Sequence, residues 1–290
     1  MQSKGAQLDT AMRIERFRNG KFEFEVSDEG PIDGSIIVLL HGFPQNRHCW
    51  DEVRQVLHER GHRTIAFDQR GYAPSARPRS RFAYRVGALA SDVSALLNML
   101  GPRSASIVGH DWGAIVAWAV AAAQPDAIRS ITTVSVPHPR AFARSLLSSD
   151  QGKRAIYMAV FQLPWLPEAW IRRNPNAFRA VLRATGLSTS EVDRVVADVV
   201  PNSALTGALN WYRGICLVSP RTIAAVRVPT THVWSTKDTS LSRSGAELTG
   251  RYVHADYRLV ILDGTHWIPD EHPDALAVLI SERDHSALDR

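Results

Sequence analysis

The sequence predicts an α/β protein: a mostly parallel central sheet flanked by helices, with an α-helical cap inserted late in the chain. Three observations predict it. Apolar runs of strand length recur along the chain. Helix-like stretches alternate with them, the pattern that builds a parallel sheet covered by helices. The alternation then lapses between His138 and about Arg221, where no strand run occurs, and resumes afterwards.

Taken in order, Met12 to Val26 carries two alternating stretches around Asn19-Gly20, a hairpin signal. Ser35 to His41 is a continuous apolar run, as expected of a parallel strand buried on both faces. Similar runs follow at His62–Asp68, Ser104–Gly109, Ile131–Val136, Thr231–Ser235 and Arg258–Asp263. Helix-like segments lie at about 48–60, 86–101, 113–124, 243–252 and 273–284. The stretch without strands is rich in Trp, Leu and Arg and carries Pro164, Pro167, Pro175 and Pro201, which reads as short helices. The expected division is a core of residues 1–138 and 222–290 and a cap of residues 139–221.

Composition narrows the class. At 290 residues, and roughly 150 residues per domain, the chain has room for two domains or one large α/β domain. Hydrophobic residues make up 44% and charged residues 22%, which excludes a disordered or collagen-like chain. The net charge is +5, but Lys4, Lys21, Lys153 and Lys237 are the only lysines among 34 basic residues, and the arginines are scattered. A scattered surplus is a solvated surface, so no nucleic-acid partner is expected. Cys49 and Cys216 cannot make a disulfide framework and suit a reducing compartment. The N-terminal residues lack the apolar region of a signal peptide, and the run Ala114–Ala123 is too short to span a bilayer. A cytoplasmic protein without a membrane span is the expectation.

The sharpest chemical signal is Gly109-His110-Asp111-Trp112-Gly113, directly after a strand run and before the helical run Ala114–Ala123. Small residues two before and two after a central residue allow the strained strand-to-helix turn that exposes a nucleophile. Here the centre is Asp111. A carboxylate needs no base to deprotonate it and can attack carbon to form an ester, which points to alkyl transfer. The competing reading is an Asp that merely caps the helix. His41-Gly42-Phe43-Pro44 follows another strand. The backbone N–H groups of Phe43 and Trp112 would make a paired oxyanion site. His266, in Gly264-Thr265-His266-Trp267 after the last strand, is the candidate base for water. The acid that orients it could follow the fourth or the fifth parallel strand. Pro137 to Arg144 holds no acid, whereas Thr236-Lys237-Asp238-Thr239 does, so Asp238 is the choice. His41 and His110 sit in the turn motifs as loop-orienting residues. His48, His58, His62, His254, His272 and His285 read as surface or helix-end residues, and His138 and His232 have no obvious partner.

In order and spacing, His41–Pro44, Asp68-Gln69-Arg70-Gly71-Tyr72, Gly109–Ala114, Asp238 and His266 resemble the α/β-hydrolase superfamily, and specifically its epoxide hydrolases. The resemblance runs from about residue 12 to 284. It departs at Ala73-Pro74-Ser75, where relatives often carry Ser-x-Gly. An Asp at the elbow restricts the choice to epoxide hydrolases and dehalogenases. The resemblance implies two cap tyrosines that donate to the epoxide oxygen: Tyr157, in the segment Tyr157–Pro164, and Tyr212, in Asn210-Trp211-Tyr212-Arg213. Each could instead be an amphipathic residue at the cap–core interface. Phe43, Trp112, Trp211 and Trp267 are expected to line the substrate site.

A haloalkane dehalogenase is the alternative. Such enzymes resemble His-Gly-Asn-Pro at the first turn, where this chain has Phe43, and haloacid relatives place arginines where Trp112 and Ile115 stand. A non-catalytic small-molecule receptor on the same fold is a second alternative, although every expected catalytic position is filled. An esterase or perhydrolase would carry Ser at the elbow. The reading is hydrolysis of a small hydrophobic epoxide by water to a vicinal diol. The Cys and His spacings hold no zinc pattern, and no cofactor is expected. Many relatives pair through their caps, so the resemblance admits a homodimer, which no local feature of the sequence specifies.

Overall fold

The structure is a computed structural model describing residues 12–101, 105–215, 217, 219 and 222–288. Residues up to Ala11, Ser104 at the start of the third expected parallel strand, Cys216, and Arg221 at the expected end of the cap lie outside the described residues.

Strands β1 (Arg16–Asn19) and β2 (Phe22–Glu29) form the hairpin. Its turn is Gly20-Lys21, one residue later than expected, and Gly20 takes φ +57. Then follow β3 (Ser35–Leu40), α1 (Asp51–Glu59), β4 (His62–Phe67), α2 (Val86–Leu100), β5 (Ala105–His110), α3 (Trp112–Ala123) and β6 (Ile128–Val134). The next stretch is helical: α4 (Pro139–Ser148), α5 (Gln151–Arg154), α6 (Ile156–Phe161), α7 (Leu166–Arg173), α8 (Pro175–Ala184), α9 (Thr189–Asp198) and α10 (Ala204–Ile215). The chain ends with β7 (Thr230–Ser235), α11 (Arg243–Thr249), β8 (Tyr257–Leu262), α12 (Ile268–Glu271) and α13 (Pro273–Leu288).

The strands form one sheet in the order β1-β2-β4-β3-β5-β6-β7-β8. From β3 to β8 all neighbours are parallel, and β1 and β2 add an antiparallel flank. Strand β3 shows why the apolar runs are continuous. Ile37 and Leu39 pack on one face with Leu57 of α1 and Leu276 and Ile280 of α13. Ile36, Val38 and Leu40 pack on the other, in the cluster that contains Leu96 of α2 and Val116 of α3. Period-two side chains thus feed two cores, each buried aliphatic group contributing roughly 1.5–3 kcal/mol. Helix α3 is apolar all round and buried from Trp112 to Ala121, as a helix between a sheet and other helices must be. Strand β8 departs from the expectation of burial on both faces: it is the sheet edge, and Ile261 is 37% exposed.

The chain leaves β3 for β4 on one side and crosses back to β5 on the other, with Leu40 opposite Gly109. The carboxyl ends of β3 and β5 therefore adjoin at a topological switch point, where α/β sheets bind ligands. Helices α6 to α10 cover that end, while α4 packs against α11. Among the described residues no helix is long and apolar enough to cross a membrane.

Candidate active site

Asp111 is the residue between β5 and α3, with φ 51 and ψ −118. No ordinary well for an L-residue lies there, so the surrounding structure must impose it. Two glycines make that possible. A Cβ on Gly109 would lie 2.2 Å from the Gly113 carbonyl oxygen, and one on Gly113 would lie 2.0 Å from that of Leu40. The side chain of Asp111 makes no capping bond to its helix, which removes the reading as a simple N-cap. Its Oδ1 accepts from the Phe43 N–H at 2.8 Å, and Oδ2 lies 3.5 Å from His266 Nε2. The Trp112 N–H is the first of α3, where a backbone donor lacks an intrahelical acceptor. One carboxylate oxygen is thus held by the Phe43 amide, and the other faces the imidazole.

His266 sits 28 residues after Asp238 in the chain, and its Nδ1 lies 2.8 Å from Asp238 Oδ2. Asp238 Oδ1 accepts from the N–H groups of Ser240 and Leu241, both at 2.8 Å. This Asx-type turn aims the carboxylate. The carbonyl of His266 accepts from Ser135 Oγ at 2.9 Å and lies 2.9 Å from His110 Nε2. Burial alone would lower the pKa of His266, but Asp238 and then Asp111 outweigh it and raise it to about 10. Burial works against Asp111 too, and His266, His110 and the Phe43 N–H overcome it to hold the carboxyl below its ordinary value. In the resting protein the two form an ion pair. His110, buried and beside His266, is pushed down to about 4 and stays neutral.

Tyr157 on α6 and Tyr212 on α10 meet Asp111 across the same space. Their ring centroids are 5.9 Å apart, and Tyr212 packs edge-on to Phe43 and Trp112. Burial raises the pKa of both phenols and the Asp111 carboxylate raises it further, so both stay protonated at neutral pH. Other residues of the two tyrosine motifs fasten α6 to α10. Gln162 Nε2 donates to the Tyr212 carbonyl at 2.8 Å. Arg213 donates to the carbonyls of Phe161 and Leu163 and grips Glu168 through both Nη atoms, at 2.7 and 2.9 Å.

Asp111, Tyr157 and Tyr212 line both of two adjacent cavity lobes. The larger lobe, about 260 Å³, is lined by Phe43, Phe161, Leu182, His266 and Trp267 among others. The smaller, about 50 Å³, is walled by Trp112, Ile115, Phe142, Met158, Ile215 and Leu241.

Of the residues expected at the site, Asp111, His266, Asp238, Tyr157, Tyr212, Phe43, Trp112 and Trp267 come together here. Trp211 does not. It is fully buried, lines neither lobe, and its Nε1 donates to the Arg70 carbonyl at 2.7 Å. Adjacent helical positions point about 100° apart, so Trp211 faces the Asp68–Tyr72 turn while Tyr212 faces the cavity. His62, expected at the surface, is buried against Ser281 at 2.8 Å. His138 and His232 do have partners, the Ala224 carbonyl and Thr133. Sequence reasoning missed the lining residues Phe142, Met158 and Leu241, which carry no signal beyond being apolar. Asp238 is both the partner of His266 and the turn residue that was its competing reading, one oxygen serving each.

A helix-covered parallel sheet with this strand-to-helix elbow at its switch point defines the α/β-hydrolase class. Residues 35–273 match the family described as alpha/beta hydrolase fold. The chain is 35% identical to the AB hydrolase superfamily protein YfhM of Bacillus subtilis, over 89% of this chain and 92% of that one. It is 30% identical to mouse epoxide hydrolase 4, over 91% of this chain and 77% of the relative. Epoxide hydrolase A of Mycobacterium thermoresistibile superposes with a TM-score of 0.78 at 25% identity, covering 92% of this chain and 96% of that structure. The chain belongs to the α/β-hydrolase family and, within it, to the epoxide-hydrolase family.

Proposed function

We propose that this protein hydrolyses a small hydrophobic epoxide to a vicinal diol through an ester on Asp111, with residues 139–221 acting as the cap. The observation that carries the reading is that an elbow carboxylate and two protonated phenols line the same two lobes. A carboxylate opposite two O–H donors suits a ring carbon on one side and the ring oxygen on the other.

In the first step Asp111 Oδ2 attacks a ring carbon. The new C–O bond forms as the ring C–O bond breaks, and the leaving oxygen takes a proton from a phenol. Oδ1, already on the Phe43 N–H, becomes the ester carbonyl oxygen. Esterification removes the Asp111 charge and with it one of the two supports of the raised His266 pKa, so the imidazole releases its proton, which returns through solvent to the phenolate left by ring opening. In the second step water attacks Cγ and gives a proton to His266 Nε2. The charge on Oδ1 is met by the Phe43 and Trp112 N–H groups, where one lost donor costs on the order of 3 kcal/mol. Collapse expels the diol oxygen, which takes the proton back from His266. The acid proton left on Asp111 passes to His266 Nε2, which restores the resting pair. The attacking oxygen stays on Asp111, and Oδ2 leaves in the diol.

Two features weigh against a dehalogenase. Phe43 offers no side-chain donor to a halide, and the Trp112 side chain is engaged with Tyr212. The deciding experiment is intact mass on His266→Gln after incubation with a racemic aryl epoxide and, separately, a 1-haloalkane. The expected result is an adduct of the whole epoxide mapped to the Asp111 peptide and absent from Asp111→Ala. An adduct from the haloalkane alone, with halide released, would turn the reading to dehalogenase and leave the tyrosines as packing.

A further inference from the structure

The Asp238 carboxylate is aimed by its own turn, and that turn is itself held from the helical insert. Gln151, the first residue of α5, is 1% exposed. Its Nε2 donates to the Ser240 carbonyl at 2.9 Å, and its Oε1 accepts from the Ser242 N–H at 2.7 Å. Both ends of one buried amide are thus spent on the two residues flanking Leu241, whose own N–H binds Asp238 Oδ1. Arg154, three residues later, donates through Nη1 to the Asp238 carbonyl at 2.6 Å, and Ser149 Oγ lies 3.2 Å from Ser242 Oγ. Tyr157 follows three residues after Arg154. One short stretch, residues 149–157, therefore carries a phenol of the ring-opening step and a clamp on the acid of the hydrolytic step.

We propose that Gln151 is a positioning residue: it fixes the Ser240–Ser242 backbone so that Asp238 stays aligned with His266, and so serves the hydrolytic half of the reaction. A buried primary amide suits this task because it offers a donor and an acceptor about 2 Å apart without adding charge beside Asp238. Removing it leaves a buried carbonyl and a buried N–H unpaired, and the turn must move to satisfy them. Outer partners that orient a reacting side chain typically matter by about 10–100-fold when lost. The charged and titratable groups facing His266 are Asp111 from the elbow, His110 from the end of β5 and Asp238 from the turn, with Arg154, Tyr157 and Tyr212 of the helical insert lining the same lobe. Only Asp238 is reached by the clamp, so its alignment is what the variant changes.

The role in turnover rests on the proposed ester mechanism, and the test is built to separate the two. Gln151→Met keeps the volume and removes both bonds. The substrate-independent measurement is the ¹H–¹⁵N titration of the His266 imidazole in the free protein. The expected result is a midpoint lowered toward the ordinary histidine value in Gln151→Met, with Gln151→Glu, which keeps the acceptor to Ser242, measured beside it. Single-turnover kinetics then divide the half-reactions: ester hydrolysis slows by about 10–100-fold while ester formation changes by less than about 3-fold. An unchanged His266 midpoint in Gln151→Met overturns the proposal, as does an equal loss in both half-reactions, which marks Gln151 as packing only. If wild type opens no epoxide, the mechanism fails while the titration still decides the clamp.

Discussion

The two halves of the candidate site are built on opposite principles. The nucleophile half rests on the sheet: Asp111, the Phe43 amide and the Trp112 amide are fixed by fully buried strands and by glycines with no room for a methyl group. The phenol half rests on helices of 4–12 residues, and α6, which carries Tyr157, has no fully buried residue. The core half is over-determined by backbone contact. The other half is mixed: α10 is mostly buried and packs Gly207 and Gly214 on the backbone of Gly71 and Tyr84, whereas the short helices α5 and α6 are tied down by side-chain bonds, chiefly those of Gln162, Arg213 and Gln151. Backbone sterics tolerate no compromise, whereas side-chain ties can be cut one at a time. Damage to the first half should therefore take the fold with it, and damage to the second should take only a step of the chemistry.

The harshest trial of that contrast is Gly113→Ala. The added Cβ meets a backbone oxygen that cannot rotate away. The expected cost is at least about 3 kcal/mol in urea unfolding, together with loss of activity. A variant of wild-type stability would show the elbow to be pliable and erase the distinction. Next is Tyr212→Phe, which removes only a hydroxyl. Ring opening should slow by about 10²–10⁴-fold, the usual value of a positioned acid, with Tm nearly unchanged and no ester accumulating. Tyr157→Phe should be milder, since Tyr157 is only half-buried, on a helix with no buried residue, whereas Tyr212 is buried. If Tyr212→Phe instead accumulated ester, the phenol would belong to the second step.

The smallest effect lies in titration. His266 should stay protonated through neutral pH and titrate near 10 by NMR. Its folded pKa is above the ordinary 6.5. Its contribution to stability is therefore complete below about pH 6.5 and is lost as pH rises through about 10. Asp238→Asn should lower the midpoint more than Asp111→Asn, because Asp238 is the larger support. The reverse order would place the main partner of His266 on the elbow.

The core elements were legible in the sequence because a strand buried on both faces must be apolar throughout, as at Ser35–Leu40. Strand β8 looked the same and is an edge, since an apolar run does not say how many neighbours the strand has. His62 reads as polar, and only its position under α13, against Ser281, buries it. Trp211 and Tyr212 are neighbours of similar character, and nothing local says which of them turns to the cavity.

What the sequence determined by itself was the geometry of the elbow. The Gly-x-Asp-x-Gly spacing acts through contacts between residues a few positions apart, which local sterics enforce wherever the strand ends. The order Asp111, Asp238, His266 was legible for the same reason, each residue following its own apolar run. The tertiary structure alone decided that Trp211 turns away from the cavity, that the cavity has two unequal lobes, and that Gln151 holds the turn of an acid 87 positions away. Those outcomes depend on how helix faces pack at long range, where many apolar residues are interchangeable and geometry selects among them.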